Sequence, residues 1–362
     1  MSIEADRQAI NDLPYDVEML ASLRESARLI ATHYSTQIEG NRLTQIQVNE
    51  SIAGARLPGR ERDVVEVRNY YRAIEEVELF GQSFAPISES EIRRVHALVM
   101  GGRPAATPYR DGQNVIRDST SGSIVYMPPE APDVPELMKS LVAWLCDMLD
   151  RDALPIPVAA ALAHYQYATI HPYYDGNGRT ARLLTSLILH RTGYGLNGIY
   201  SLEEYYANNL TQYYDALSTG PSHNYYFGRV EADVTDFVSY FCLGMADSFA
   251  SVRSQAAGAL KRGTRDISSE LRELDARKRA LINLFARQST ATSTQIARHL
   301  GLSQRTVVGL SREWLADGFL VVEDASRKNR SYRLAARYEA LVVSPSFGGR
   351  SVSVARSKFN QQ

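Results

Sequence analysis

Along most of this chain apolar residues recur at intervals of three and four, the spacing that lines one face of an α-helix. Leu20, Leu23, Ala27, Ile30, Tyr34 and Ile38 form one such stripe, and Gly40 is placed to end it in a left-handed cap. Val64, Val67, Tyr71 and Ile74, continuing to Phe80, form a second. Ile92, Val95, Leu98 and Val99 form a third, with Ser88 and Ser90 as N-cap candidates. Helical patterns resume over residues 134–149, over 157–170 with Pro157 in the first turn, and over 179–190, 203–217 and about 230–256. Residues 113–129 break the rule: Val115–Ile116 and Ile124–Tyr126 flank a Ser/Gly turn, which predicts one β-hairpin in a mostly helical domain. Residues 258–270 shift to Gly, Ser and charge, and we place the main boundary there. The reading is thus a helical region over 1–100, a helical core with its hairpin over 101–260, a smaller domain over 271–340 and a mobile tail over 341–362.

At 362 residues, 44% hydrophobic and 22% charged, the chain fits two or three globular domains. No apolar run approaches the roughly 20 residues that span a bilayer, so no membrane partner is expected. Glu4 and Asp6 interrupt any signal-like start, and Cys146 and Cys242 lie in apolar helical patterns; both point to a cytoplasmic protein with buried reduced thiols. The net charge of −1 conceals an asymmetry. Residues 276–340 hold twelve Lys/Arg against five acids, +7, whereas the first 275 residues hold 25 basic against 36 acidic groups, −11. One end of the chain can attract a polyanion that the rest repels.

Chemistry concentrates in HPYYDGNGRTAR, residues 171–182. Gly176 and Gly178 allow positive φ and let backbone N–H groups face an anion, while a helix starting at about Arg179 aims its positive end at the same spot. Arg179 and Arg182, three apart in that first turn, oppose the helix dipole unless an anion binds. Asn177 adds an amide donor, Asp175 an oxygen ligand suited to Mg²⁺, and His171 a base that titrates near neutrality. Taken singly, a GNG turn, a solvated arginine pair and a loop histidine are ordinary structural features; together they describe a phosphate cradle with a metal ligand and a general base. His164 has no Cys or third His at ligand spacing and reads as a core hydrogen-bonding residue.

The same string resembles the Fic-domain motif, with Tyr173 where phenylalanine is usual. YRDGQNVI, IVYMPPE and VPELMKSL resemble the flap of that family and the helix after it, so the likeness covers roughly residues 100–250. The resemblance implies a Fic-type helical bundle over the 101–260 core and transfer of AMP from ATP to a Ser, Thr or Tyr hydroxyl of a target protein, with release of pyrophosphate. It assigns His171 as general base and Asp175 as the Mg²⁺ ligand. Asn177 and the loop amides at Gly176 and Gly178 would orient the α-phosphate, and Arg179 and Arg182 would hold the departing pyrophosphate. Tyr173 would pack under the loop, its hydroxyl needing a partner. The hairpin edge, Ile124, Val125 and Tyr126, would take an extended target segment as an added strand. Asn209, Tyr213 and Tyr214 resemble positions that line the nucleoside, although interior tyrosines at helical spacing are more often core.

Glu39 breaks a local rule, since a carboxylate in a last helical turn faces the negative end of the dipole. The string from Ser35 to Glu39, Gly40 and Asn41 resembles the inhibitory motif of self-regulated members, implying a Glu39–Arg182 ion pair that occupies an arginine needed by ATP. The same glutamate could instead align water for AMP removal. At the basic end, residues 277–335 read as three helices and two β-prone runs, resembling a winged helix-turn-helix. Gln304, Arg305, Thr306 and Arg312 on its third helix and Arg327, Lys328 and Arg330 at the wing tip are the expected DNA contacts. A protein-interaction or dimerisation module is the alternative, and a second copy of the chain is a candidate partner. Two other functions compete with AMP transfer. One is a kinase-like phosphotransferase, whose relatives carry lysine where Gly178 stands; the other is a transcription regulator using the nucleotide site as a sensor.

Overall fold

The computed structural model describes residues 3–13, 17–83, 85–102, 106–117, 121–220, 222–229, 231–261, 276–285, 288–300, 302–324, 326 and 330–339. The described residues divide into two compact units, with the break between Ala259 and Leu260. The tail over 341–362 and the wing-tip residues Arg327 and Lys328 lie outside the described residues.

The first unit is a helical bundle. Its described helices are α1 (Ile3–Asn11), α2 (Val17–Ile38), α3 (Gln45–Ile52), α4 (Glu61–Gly81), α5 (Glu89–Gly101), α6 (Val134–Asp150), α7 (Ile156–Ile170), α8 (Asn177–Arg191), α9 (Leu202–Asn208), α10 (Leu210–Leu217) and α11 (Thr235–Lys261). Ser88, not Ser90, caps α5: its hydroxyl accepts the Glu91 N–H while the Glu91 carboxylate accepts the Ser88 N–H, so Ser90 falls inside the first turn. Helix α2 ends as the glycine predicted. Gly40 sits at φ +94 and donates to the Gln37 carbonyl, and Asn41 reaches back to Thr36, the paired bonds of a left-handed C-cap.

Helix α8 is buried on nearly every side and packs against α4, α5 and α7. Its polar residues Arg179, Thr180, Arg182 and Thr185 are buried along with its leucines, which places it at the centre of the bundle. Alanines at 159, 160, 161 and 163 let α7 approach it closely. The loop between these two helices is therefore held at both ends by the core. The hairpin consists of β1 (Ile116–Arg117) and β2 (Ile124–Tyr126), antiparallel, with Ile116 opposite Tyr126 and Arg117 opposite Ile124. Beyond β2, Met127 already pairs with the chain at 223–225: its N–H donates to His223 and its carbonyl accepts from Tyr225.

Helix α11 runs through Gly258 to Lys261, past the start of the compositional shift. Cys146 and Cys242 are unbridged but only half-buried, Cys146 donating to the Ile87 carbonyl. The second unit contains α12 (Ala276–Phe285), β3 (Ala291–Thr292), α13 (Ser293–Leu300), α14 (Gln304–Ala316), β4 (Leu320–Asp324), β5 (Ser331–Leu334) and the short α15 (Ala336–Glu339). Its three strands form an antiparallel sheet in the order β3-β5-β4, closing a separate core around Ile296, Val307, Trp314 and Phe319. Among the described residues, no helix is long and apolar enough to cross a membrane.

Candidate active site

Helix α7 ends at His171, which adopts φ 51, ψ 60 and donates its N–H to the Tyr167 carbonyl at 3.1 Å. A left-handed non-glycine residue is uncommon and persists where its surroundings impose it. Arg110 imposes it here. Its buried guanidinium donates from Nε to the His171 carbonyl at 3.0 Å, to Gly112 at 3.0 Å and to Pro129, while its N–H reaches Pro172. One side chain thus ties the histidine to both roots of the hairpin. Every hydrogen-bond acceptor it meets is a backbone carbonyl, and burial pushes its pKa down.

The His171 imidazole is buried, which lowers its pKa to about 4 despite a hydrogen bond to the Ala168 backbone. Its Nε2 is buried with no hydrogen-bond partner among the described residues, and the residue lines a cavity of about 590 Å³. The ring is therefore a neutral base at physiological pH with its accepting nitrogen unused.

The loop after it is stapled from within. Asn177 accepts the Tyr173 N–H at 3.0 Å and donates to the Tyr173 carbonyl at 2.7 Å, so its amide braces the loop where an α-phosphate contact was expected. Helix α8 begins at Asn177, two residues earlier than the pattern suggested, with Gly176 as N-cap at φ +78. His96 on α5 supports the loop from below. Its Nε2 donates to the Asp175 carbonyl at 2.9 Å, and its ring stacks on Tyr173 with centroids 3.4 Å apart and planes 5° from parallel. The Tyr173 hydroxyl lies buried beside Arg93 without a well-formed hydrogen bond.

Both motif arginines are buried, and both carry carboxylates. Arg182 donates from Nε to the Ser35 hydroxyl at 2.7 Å, and from a terminal nitrogen to the Ser35 carbonyl at 3.0 Å and to Glu39 at 2.7 Å. Burial lowers its pKa, but the Glu39 carboxylate outweighs that and pushes it up. Arg179 bridges Glu66 at 2.6 Å and Asp175 at 3.0 Å. Glu66 in turn accepts from Asn41 at 2.8 Å, two residues past Glu39, and burial raises its pKa. Gly178 is helical and carries no positive φ; its requirement is space. A Cβ there would stand 2.4 Å from the Glu39 Oε1 and 3.3 Å from an Arg182 nitrogen.

The nucleoside positions separate. Tyr213 and Tyr214 line the cavity, whereas Asn209 does not: its amide donates to the Tyr205 carbonyl at 2.9 Å, at the joint between α9 and α10. His164 joins Thr185 and Tyr213, each at 2.9 Å, in the core. On the hairpin, Ile124 is exposed and Val125 half-buried, but Tyr126 turns inward and its hydroxyl donates to Thr169. In the second unit Arg305 and Arg312 are exposed on α14, and Arg330 is exposed before β5. Gln304 and Thr306 are partly committed: Gln304 donates to Thr294 at 3.1 Å, and Thr306 bonds its own cap, Ser303. Arg110, His96 and Glu66 were not singled out in the sequence because the partners that place them, His171, Asp175 and Arg179, lie 61, 79 and 113 residues away.

Among the described residues no group of three metal-binding side chains exists. Asp175 is half-exposed at the loop, its Oδ1 accepting from the Gly176 N–H and from Arg179, and its carboxylate is the kind of hard oxygen donor that would suit Mg²⁺.

The Fic/DOC family model matches residues 86–189, so the chain carries a Fic domain there. The match stops short of the 250 expected and includes neither Glu39 nor the second unit. Protein adenylyltransferase fic-1 of Caenorhabditis elegans is 32% identical over 213 residues, 57% of this chain and 41% of that protein. Protein adenylyltransferase Fic of Nematostella vectensis is 31% identical over 168 residues, 45% of this chain and 37% of that protein. The chain thus spans about two fifths of the length of the curated relatives it matches. Among solved structures, a Fic family protein from Desulfovibrio desulfuricans G20 superposes with a TM-score of 0.57 at 26% identity, covering 92% of this chain and 95% of that one. A Fic domain containing signaling protein from Bacteroides thetaiotaomicron superposes at 0.60 and 25% identity, over 71% and 96% respectively.

Proposed function

We propose that this chain is a protein adenylyltransferase held in check by its own Glu39. In this reading the target hydroxyl gives its proton to His171 Nε2, its oxygen bonds the α-phosphorus of ATP, and the bond to the β-phosphate oxygen breaks to release pyrophosphate. The observation that carries the reading is the neutral imidazole of His171, with an unpartnered buried Nε2, in a residue that lines one cavity together with Arg179 and Arg182. The Gly176 turn and the start of α8 offer N–H groups to the phosphates. Arg182 binds the leaving half once Glu39 withdraws, and Asn177 keeps the loop in shape. Mg²⁺ bound by Asp175 would offset charge on the phosphates. The target reaches His171 along the hairpin, with Ile124 and Val125 as the contact residues.

The brake follows from competition for one guanidinium. A charge-assisted hydrogen bond contributes roughly 1.5–3 kcal/mol, so its loss should raise productive ATP occupancy about 10- to 100-fold. Glu39→Gly is therefore expected to increase automodification by that factor, measured with α-labelled ATP and checked by mass spectrometry for AMP-bearing peptides that vanish with His171→Ala. Label arriving from γ-labelled ATP would identify a phosphotransferase, and label from neither a nucleotide sensor. Equal α-label in the wild type and Glu39→Gly would remove the brake.

We read the second unit as a winged helix that binds DNA through Arg305 and Arg312, with Arg330 beside the β4–β5 connection. The +7 balance of residues 276–340 supports it. DNA affinity should fall linearly on a log–log plot against salt with a slope of about −0.9 per phosphate neutralised. Salt-independent or absent binding would leave a protein-interaction module.

A further inference from the structure

The positive charge around the His171 cavity is unevenly spent. Its inner arginines are neutralised, Arg182 by Glu39 and Arg179 by Glu66 and Asp175. Three more arginines line the same cavity from outside the Fic motif: Arg42, Arg60 and Arg62, all exposed. Arg60 has Asp63 only at 3.5 Å, a solvent-exposed pair that contributes little. Arg42 and Arg62 have no acidic partner among the described residues. Arg42 stands three residues past Glu39, beyond the Gly40 turn, and Arg60 and Arg62 lie at the start of α4, which carries Glu66 inward. The outer group thus shares one cavity with the motif arginines and with Glu39, Asp63, Glu66 and Asp175. It is also a local reversal in a body that is −11 over its first 275 residues.

An anion entering while Glu39 and Glu66 are in place meets uncompensated guanidinium only at this outer group. We propose that Arg42 and Arg62, with Arg60 beside them, form an outer polyphosphate subsite. It receives the terminal phosphates of a nucleoside triphosphate before Glu39 yields Arg182, and holds pyrophosphate on its way out. The inference rests on the adenylyltransferase reading for the identity of its ligand. The physical basis is the guanidinium fork, which matches phosphate oxygens, and the focusing of field in a cleft, which raises the rate of encounter and weakens with salt.

The test is calorimetric titration of inorganic tripolyphosphate into the full-length wild type and into the Arg42→Ala/Arg62→Ala protein, at low and at physiological ionic strength. The expected result is binding that weakens with salt and falls about tenfold in the double variant, two to five times for each exposed contact. In the Glu39→Gly background the same pair of substitutions should raise the KM for ATP by a similar factor. No detectable binding by the wild type, equal affinity of the two proteins, or a rise in KM for the target protein with none for ATP would overturn the subsite. Should the alanines lower the melting temperature, Arg42→Gln/Arg62→Gln keeps the stems and repeats the measurement. The titration needs no transfer of AMP. Arginine-dependent tripolyphosphate binding in a protein that transfers no AMP would keep the subsite and remove the transferase reading, whereas AMP transfer with unchanged tripolyphosphate affinity would do the reverse.

Discussion

Glycine at 178 and histidine at 171 illustrate how far a residue's chemistry depends on what the fold places beside it. In the sequence Gly178 is a flexible turn residue; in the fold it is a helical position kept bare so that the Glu39 carboxylate can reach Arg182. In the sequence His171 titrates near neutrality; in the fold burial lowers its pKa to about 4. In the proposed reaction the neutral ring takes the proton, so the lowered pKa extends the active form toward acid. The AMP-transfer rate of Glu39→Gly should therefore be flat with respect to this group from about pH 7.5 to 5.5, whereas an unshifted imidazole would lose half its activity at about pH 6.5. An acid limb centred near 6.5 would contradict the burial of that ring.

At the scale of elements, the site is a junction of helices that the motif alone does not contain. Helix α2 delivers Ser35 and Glu39, α4 delivers Glu66, α5 delivers His96, and the loop before β1 delivers Arg110. The contact between Glu66 and Arg179 binds α4 to the start of α8, and Asn41 links it to the end of α2. Glu66→Gln keeps the shape but removes the charge, leaving Arg179 only the half-exposed Asp175. Breaking one partner of a buried pair costs several kcal/mol, and partial exposure of Glu66 brings the expected loss to about 1–3 kcal/mol. A shift of the urea midpoint with unchanged slope would measure it; an unchanged midpoint would show that Arg179 is held by Asp175 alone.

For the whole molecule, the burial of several imidazoles sets a limit on acid stability. His96 and His171 are lowered to about 4 and His164 to about 3, each chiefly by burial. Between those values and the unfolded value of about 6.5 the unfolded chain binds more protons than the folded one, so stability falls as pH drops through this window. By pH 5 the loss is on the order of 2 kcal/mol for each of the three groups, measurable as falling urea midpoints of the first unit from pH 7 to 5. Replacing His164, which has no part in the proposed chemistry, should flatten that slope. The sequence by itself determined the helical class, the hairpin of the first unit, the α2 cap at Gly40 and the chemical inventory of residues 171–182, because local periodicity, cap preferences and side-chain types act within a few residues. Only the tertiary structure decided that Glu66 and Asp175 neutralise Arg179, that Asn177 braces the loop, that Asn209 stands away from the cavity, and that the His171 imidazole is neutral with an unpartnered nitrogen. Those outcomes depend on burial and on contacts between elements distant in the chain, and no pattern within a helix-length window encodes them.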